Sequence, residues 1–315
     1  PQDNESYEDA WFLYLPLNYA LYKSNISSVK AFARTGMFIT FKNDSPIIYQ
    51  GVDQLQLQSG TKVTIGDGGL FNQTPQNIVI SENSYEYGSS QNKYGIISTP
   101  AGLYYISQNQ GKIFTYNDGL IEISQTGLKW WFNMFLPYKL LDKFPNYPHT
   151  DNPVAGIGCQ AIYDNKNSIV YFSKRDFVVN PEYDNENFVY DPSTNKFTYL
   201  GFPVKLGQAP YFEDASWTIS YDPKNKYWVS FHDWHPNLTL ASKNVFLSIK
   251  DTGIWKHDSS YTDFCNYYGV AYPFEIEIPI ISGQTVNTMR SVEYILECYK
   301  RSEINPIDQF HVLDF

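Results

Sequence analysis

The line YDPSTNKFTYLGF (Tyr190–Phe202) is written again as YDPKNKYWVSFHDW (Tyr221–Trp234), and a related line, YDNKNSIVYFSK (Tyr163–Lys174), precedes both. Each copy is Tyr-Asp, a short polar stretch with an Asn, and then an aromatic-rich run. Aromatic and β-branched side chains suit a pleated, half-buried surface, so the runs read as strands. The Asp can accept backbone N–H groups and close a turn. Asn167, Asn195 and Asn225 follow the Tyr by four or five residues, where a left-handed turn residue is expected and Asn tolerates that geometry. Tyr163-Asp164, Tyr190-Asp191 and Tyr221-Asp222 are therefore expected to end strands. The copies lie 27 and 31 residues apart, a degenerate repeat and not a strict array.

Upstream, the punctuation is denser. YGIIST (Tyr94–Thr99), LYYIS (Leu103–Ser107), KIFTYN (Lys112–Asn117) and LIEIS (Leu120–Ser124) are separated by Pro100-Ala101-Gly102, Gly111 and Asn117-Asp118-Gly119. Four short strands joined by tight turns make a meander, the unit of a propeller blade. A blade takes about 40–50 residues, so 315 residues predict an all-β fold, a β-propeller of roughly five to seven blades built from antiparallel meanders. One helical insertion interrupts it near residues 128–143, in LKWWFNMFLPYKLLDKF. There Trp130, Trp131, Met134 and Phe135 fit a helical face and Pro137 kinks or ends the helix. The three-proline stretch FPNYPHTDNPVAG that follows is a loop.

Toward the N-terminus, AWFLYLPLNYALYKSN, broken by Pro16, reads as a strand, an irregular stretch and a short helix. MFITFKNDSPIIYQG is a hairpin, and VDQLQLQSGTKVTIG alternates through Val52, Leu55, Leu57, Val63 and Ile65, ahead of a turn at Gly66, Gly68 and Gly69. Toward the C-terminus, NVFLSIKDTGIWKHD turns at Asp251-Thr252-Gly253. FEIEIPIISG alternates through Phe274, Ile276, Ile278 and Ile280, while SVEYILECYKRS and DQFHVLDF read as strands. The domain layout is an entry segment with a first hairpin over 1–50 and the propeller over 51–315. The start at Pro1 and the abrupt apolar end suggest a piece of a longer protein.

Composition narrows the function. There are 27 Tyr and 21 Phe, a net charge of -10, and only four Arg, at positions 34, 175, 290 and 301. That balance argues against a surface built to grip phosphates, though acidity is also an ordinary solubility feature. Cys159, Cys265 and Cys298 are far apart and show no disulfide or zinc spacing, which favours synthesis in a reducing compartment. No run reaches the roughly 18 apolar residues of a membrane helix, and no signal-peptide pattern opens the sequence.

Motifs for chemistry are sparse. His232 and His235 flank Asp233 in FHDWHPN, but ligands three apart at a strand end diverge and no third is in view. A polar loop with Trp234 tucked inward is the plainer reading. His149, His257 and His311 are isolated. Glu182, Asp184 and Glu186 in PEYDNEN are oxygen-rich without EF-hand spacing. GDGGLF lacks the Lys-Ser/Thr of a phosphate loop. Ser248, Asp251, Gly253 and Trp255 loosely match a sialidase-type Asp box, which is itself a structural hairpin. A sialidase-like site would also need the few arginines to converge on a carboxylate. Exposed Tyr and Trp offer stacking surfaces for sugars, so a glycan-binding or glycan-cleaving propeller stands as the alternative. No catalytic, cofactor or metal residue is assigned.

NKYGIISTPAGLYYISQNQGKIFTYNDGLIEISQTGLKWWF (Asn92–Phe132) resembles a segment of the tail stabilisation or muzzle proteins of crAss-like, Bacteroidales-infecting short-tailed phages. The ending SVEYILECYKRSEINPIDQFHVLDF (Ser291–Phe315) is similar to the same family, and the Tyr-Asp hairpins agree with its propeller-like region. The resemblance covers about Val52–Phe315, while members of the family are much longer. It implies a virion structural protein of the distal tail that forms a ring with copies of itself and contacts other tail proteins. It further implies assembly around the DNA channel, help in retaining packaged DNA without sequence-specific binding, and no enzymatic role. The acidic charge is compatible with a lining along which DNA slides.

Overall fold

The computed structural model describes residues 19–32, 36–49, 53–56, 62–65, 74–78, 88–117, 119–149, 154–241, 245–257, 265–272, 275, 299–301 and 310–312. They fall into two units, one ending at Trp255 and one beginning at Lys256. The fold is mostly β, as expected.

In the first unit, β1 (Ile26–Phe32), β2 (Gly36–Phe41) and β3 (Ile47–Tyr49) form an antiparallel sheet, with the expected turn over Lys42–Pro46. β4 (Asp53–Gln56) and β5 (Lys62–Ile65) pair as a hairpin, with Leu55 opposite Val63. Val52, Leu57 and the glycines at 66–69 lie outside the described residues, as does most of the stretch ahead of β1. β6 (Gln76–Asn77) adds to the edge of β3. The meander then follows as expected: β7 (Ile96–Thr99), β8 (Gly102–Ser107), β9 (Lys112–Tyr116) and β10 (Leu120–Glu122) lie side by side in chain order.

Helix α1 (Lys129–Phe135) and helix α2 (Leu140–Lys143) flank Pro137. The apolar face expected from the sequence is not the buried one. Phe132 and Leu136 are fully buried, whereas Trp130, Met134 and Phe135 face outward. In a helix of seven residues the strip beneath it has room for little more than one turn's apolar side chains.

The third sheet is not a simple meander. β11 (Gly158–Asp164) and β12 (Ile169–Arg175) make its first hairpin, but the chain then departs. β13 (Phe177–Val179) leads to a three-stranded sheet of β14 (Phe188–Asp191), β15 (Lys196–Tyr199) and β16 (Phe202–Val204). The chain returns through β17 (Phe212–Asp214), paired with β13, to β18 (Trp217–Asp222) and β19 (Tyr227–His232). β18 pairs with β12 and completes the order β11-β12-β18-β19. Residues 176–216 are thus an arm carried between the two middle strands of one sheet. This explains the uneven repeat: the Tyr163 and Tyr221 hairpins belong to the same sheet, and the Tyr190 hairpin belongs to the arm. A fourth sheet follows, β20 (Leu238–Ala241), β21 (Phe246–Lys250) and β22 (Gly253–Lys256).

The three Tyr-Asp turns share one construction. Asp164, Asp191 and Asp222 each accept the N–H of the residue two further on, at 2.9, 2.9 and 2.8 Å. Each also accepts a side-chain donor three further on: Asn167, Thr194 and Asn225, at 2.7, 2.8 and 2.7 Å. The left-handed residue is always the fourth: Ser168 (φ 58°), Asn195 (φ 54°) and Lys226 (φ 60°). Asn167 and Asn225 therefore do not hold the left-handed position expected of them; they hydrogen-bond the Asp instead.

Period-two alternation stacks the sheets. On β8, Tyr104 and Ile106 join a core with Phe132, Phe172 and Trp217, while Leu103 and Tyr105 on the opposite face join Phe38 of the first sheet. On β12, Phe172 faces that same core, and Tyr171 on the other face meets Trp234 and Phe246 at 5.3 and 5.4 Å between ring centroids. Each fully buried ring contributes about 1.5–3 kcal/mol. The sheets also touch along their first strands, β1 beside β7, β7 beside β11, and β11 beside β20. Hydrogen bonds mark two of these seams: Ala161 N–H donates to the Tyr94 carbonyl at 2.8 Å, and Thr239 N–H to the Gln160 side-chain Oε1 at 2.9 Å.

In the second unit, β23 (Asn266–Tyr267) and β24 (Val270–Ala271) form a hairpin, and β25 (Tyr299–Arg301) pairs with β26 (Phe310–Val312). The strand expected through Phe274, Ile276, Ile278 and Ile280 lies outside the described residues.

Candidate functional site

The strongest polar constellation is structural. Lys174 and Asp176 are both essentially unexposed, with Nζ and Oδ2 2.7 Å apart. The other Lys174 donors go to Phe135 O (2.8 Å) and Pro137 O (2.6 Å), carbonyls at the end of α1. Asp176 accepts from Lys139 N (2.6 Å), Leu140 N (3.3 Å) and Phe177 N (2.9 Å). It thereby caps the start of α2 from the junction between β12 and β13, a job usually done by a local residue. Burial pulls the Lys174 ammonium below its ordinary range, and Asp176 opposes that fall. Nearby, burial pushes the Cys159 thiol up to about 12, the opposite of an activated nucleophile. The sequence clue to this hub is the charged run Lys174-Arg175-Asp176 interrupting aromatic strands; its partners lie 36–39 residues away and leave no local pattern.

The residues weighed for chemistry are dispersed. His232 Nε2 meets Ser220 Oγ at 2.9 Å beside Tyr171 and Trp234, while His235 Nδ1 lies 3.7 Å from Asp214. The two histidines therefore serve different neighbours, with Trp234 buried between them in sequence. Burial works to raise the Asp214 carboxyl, but the nearby His235 ring and hydrogen bonds from Ser216 hold it well below the carboxylate range. In the acidic loop, Asp184 pairs with Lys143 at 2.6 Å. Asp251 is a left-handed turn residue (φ 54°), and the Trp255 indole lies against Gly253, a hairpin geometry. Arg175 donates to Val154 O and stands 5.4 Å over the Phe177 ring. Arg34, Arg290 and GDGGLF lie outside the described residues. Among the described residues, no group of three His, Cys, Asp or Glu is placed to hold a metal, and no helix is long and apolar enough to cross a membrane.

A shallow cavity of about 230 Å³ lies between Phe144, Pro145, Phe188 and Tyr190, below the usual 300–1,000 Å³ of ligand pockets. Lys143, the cation at its edge, is held by Asp184 and Asn185 O. What the molecule presents outward is aromatic surface. Trp131 makes edge contacts with Trp217 (5.0 Å) and Phe231 (4.9 Å), and Trp130, Met134, Phe135 and Phe231 are exposed around it.

Residues 25–252 match the family described as the crassvirus muzzle protein. The chain belongs to the crassvirus muzzle protein family. The matched span begins beside β1 and ends just past β21, so it takes in the first three sheets, the arm and the first two strands of the fourth sheet. Membership makes the chain a structural component of a crassvirus tail and implies contact with other tail components. Comparison with curated proteins finds no match.

Proposed function

We propose that this chain is a non-catalytic scaffold subunit of the distal tail whose stacked sheets are blades of a β-propeller-like body. Copies surround the channel, contact other tail proteins and help retain packaged DNA, after assembly in the host bacterial cytoplasm. The observation that carries this reading is the match to the muzzle family over residues 25–252. The succession of first strands, β1-β7-β11-β20, supports the propeller element, because blades meet at their inner strands. The net charge of -10 supports passage of DNA without capture.

Electron microscopy of intact particles tests it. A closed ring of this chain around the distal channel is the expected result. A single copy with no neighbour in the particle, or an open row of sheets, would overturn the reading.

A further inference from the structure

We propose that the outer edge of β14, on the arm, takes up a loose extended segment of another tail protein by strand addition. The inference does not need the ring; it rests on the reading above that this chain contacts other tail proteins.

The arm's sheet has two edges, β14 and β16, with β15 between them. Register decides which backbone groups face each edge. Leu200 N–H donates to Asn187 O at 3.2 Å, and that pair lies in register with Val189 opposite Thr198 and Asp191 opposite Lys196. Hydrogen-bonded and non-hydrogen-bonded pairs alternate along an antiparallel ladder. Asn187, Val189 and Asp191 therefore turn their backbone groups toward β15, while Phe188 and Tyr190 turn theirs outward. The alternation carries across β15: Tyr199 and Phe202 bond around the Leu200-Gly201 turn, so Pro203, opposite Thr198, turns outward on β16.

The two edges differ in kind. The outward position on β16 is a proline with no N–H to offer, a common guard against strand addition. β14 reads Phe-Val-Tyr-Asp, strand-forming residues with no proline, lysine or bulge among them. Phe188 N–H is closed by Asn185 O at 3.2 Å. Tyr190 N–H and the carbonyls of Phe188 and Tyr190 face outward with no backbone partner among the described residues. Acceptor, then donor and acceptor one pleat further on, is the complement of another extended backbone.

The cavity of about 230 Å³ lies along this edge. Phe188, Val189 and Tyr190 line one side, and Phe144, Pro145 and Asn146 the other. Val189 and Tyr190 point to opposite faces of the strand, so a cavity that touches both follows the edge and not one face of the sheet. The 144–146 wall also selects the occupant. A strand already inside a folded sheet brings neighbours that meet this wall, whereas a single loose segment slides between wall and edge. That disfavours the sheet edge of a second copy. Charge does not choose, because the rim carries both signs: Lys143 with Asp184, Asp191 opposite Lys196, and exposed Glu186. Membership in the muzzle family implies contact with other tail components, the source of such a segment.

Electron microscopy of intact tails, at a resolution that separates strands, is the first test. A fourth strand from a different tail protein, paired with Tyr190, is the expected result. Hydrogen exchange at the Tyr190 amide, resolved by mass spectrometry, is the second. It is expected to be slowed at least roughly tenfold in tails relative to the isolated chain, as for an amide bonded within a sheet. Asn146→Trp, at an exposed wall position, should fill the cavity, remove the added strand and restore fast exchange. Pro203→Val on the other edge should leave Tyr190 exchange unchanged. A bare β14 edge in tails, a strand supplied by this chain or by another copy, or equal exchange in tails and isolated chain overturns the docking. The comparison of tails with the isolated chain needs no variant, so it decides even where Asn146→Trp folds poorly. A closed ring whose β14 edge stays bare sinks this inference alone, while particle symmetry decides the ring separately.

Discussion

Lys174 Nζ and Asp176 Oδ2 lie 2.7 Å apart in a space with almost no solvent. Between them they engage two carbonyls at the end of α1 and two amides at the start of α2. The pair fastens the helical excursion to the sheet beneath it. Burying two charges is not stabilising by itself, but removing one partner strands the other. Lys174→Met should cost about 3–5 kcal/mol. Urea unfolding followed by tryptophan fluorescence measures it, since Trp217 Nε1 donates to the same Phe135 carbonyl as Lys174. A loss below about 1 kcal/mol would show that the carbonyls and Asp176 find other partners.

The shared turn construction makes a second prediction. At Lys226 (φ 60°), Gly should be neutral to slightly stabilising, because relief of left-handed strain offsets glycine's extra chain entropy. Val at the same position should cost about 1–2 kcal/mol, since β-branched side chains are true outliers there. The ordering Gly ≥ Lys > Val in thermal melts is the check. Equal stability of Gly and Val would mean that the turn relaxes out of the left-handed region.

The local layer of this fold is legible in the sequence. Tyr-Asp turns, the 94–124 meander and the Pro137 break all report interactions within about five residues, and each stands where the residues place it. What is not legible is non-local. The repeat alone cannot say that Tyr163 and Tyr221 share a sheet while Tyr190 rides on an arm, because strand pairing across such long intervals leaves no mark in spacing. The buried face of α1 is hidden for the same reason: Trp130 and Phe132 are equally apolar, and only the sheet beneath chooses Phe132. The Lys174–Asp176 hub is held by backbone groups, which every residue carries.

Gly111 shows how closely helix and sheet approach. It is left-handed (φ 64°), and a Cβ there would stand 2.9 Å from Asn133 Cα and 3.2 Å from Phe132 O. Both are backbone atoms of α1, so nothing flexible can yield. Gly111→Ala should therefore destabilise by more than the roughly 1 kcal/mol of left-handed strain alone. Gly127→Ala is the control: it is also left-handed (φ 75°), but nothing lies within 4 Å of its Cβ position. The difference between the two melting shifts isolates the helix contact, and equal shifts would mean that α1 moves away freely.

Stability should depend on pH through His232. Burial against Ser220, Tyr171 and Trp234 lowers this imidazole from its ordinary 6.5 to about 4, and neighbouring Asp233 opposes the fall only in part. Between those two values the unfolded chain binds a proton that the folded chain refuses. The contribution is thus fully present above pH 6.5, declines as pH falls, and is gone below about 4. Its full size is roughly 3 kcal/mol, because each tenfold loss of proton affinity on folding is worth about 1.4 kcal/mol. The depressed Asp214 carboxyl has the same sign but a lower window, starting to act only below its ordinary 3.8. Urea midpoints at about pH 7, 5.5 and 4.5 therefore read His232 apart from Asp214. His232→Gln should flatten the slope across that range while keeping a polar partner for Ser220. A slope that survives the substitution would assign the effect to another group.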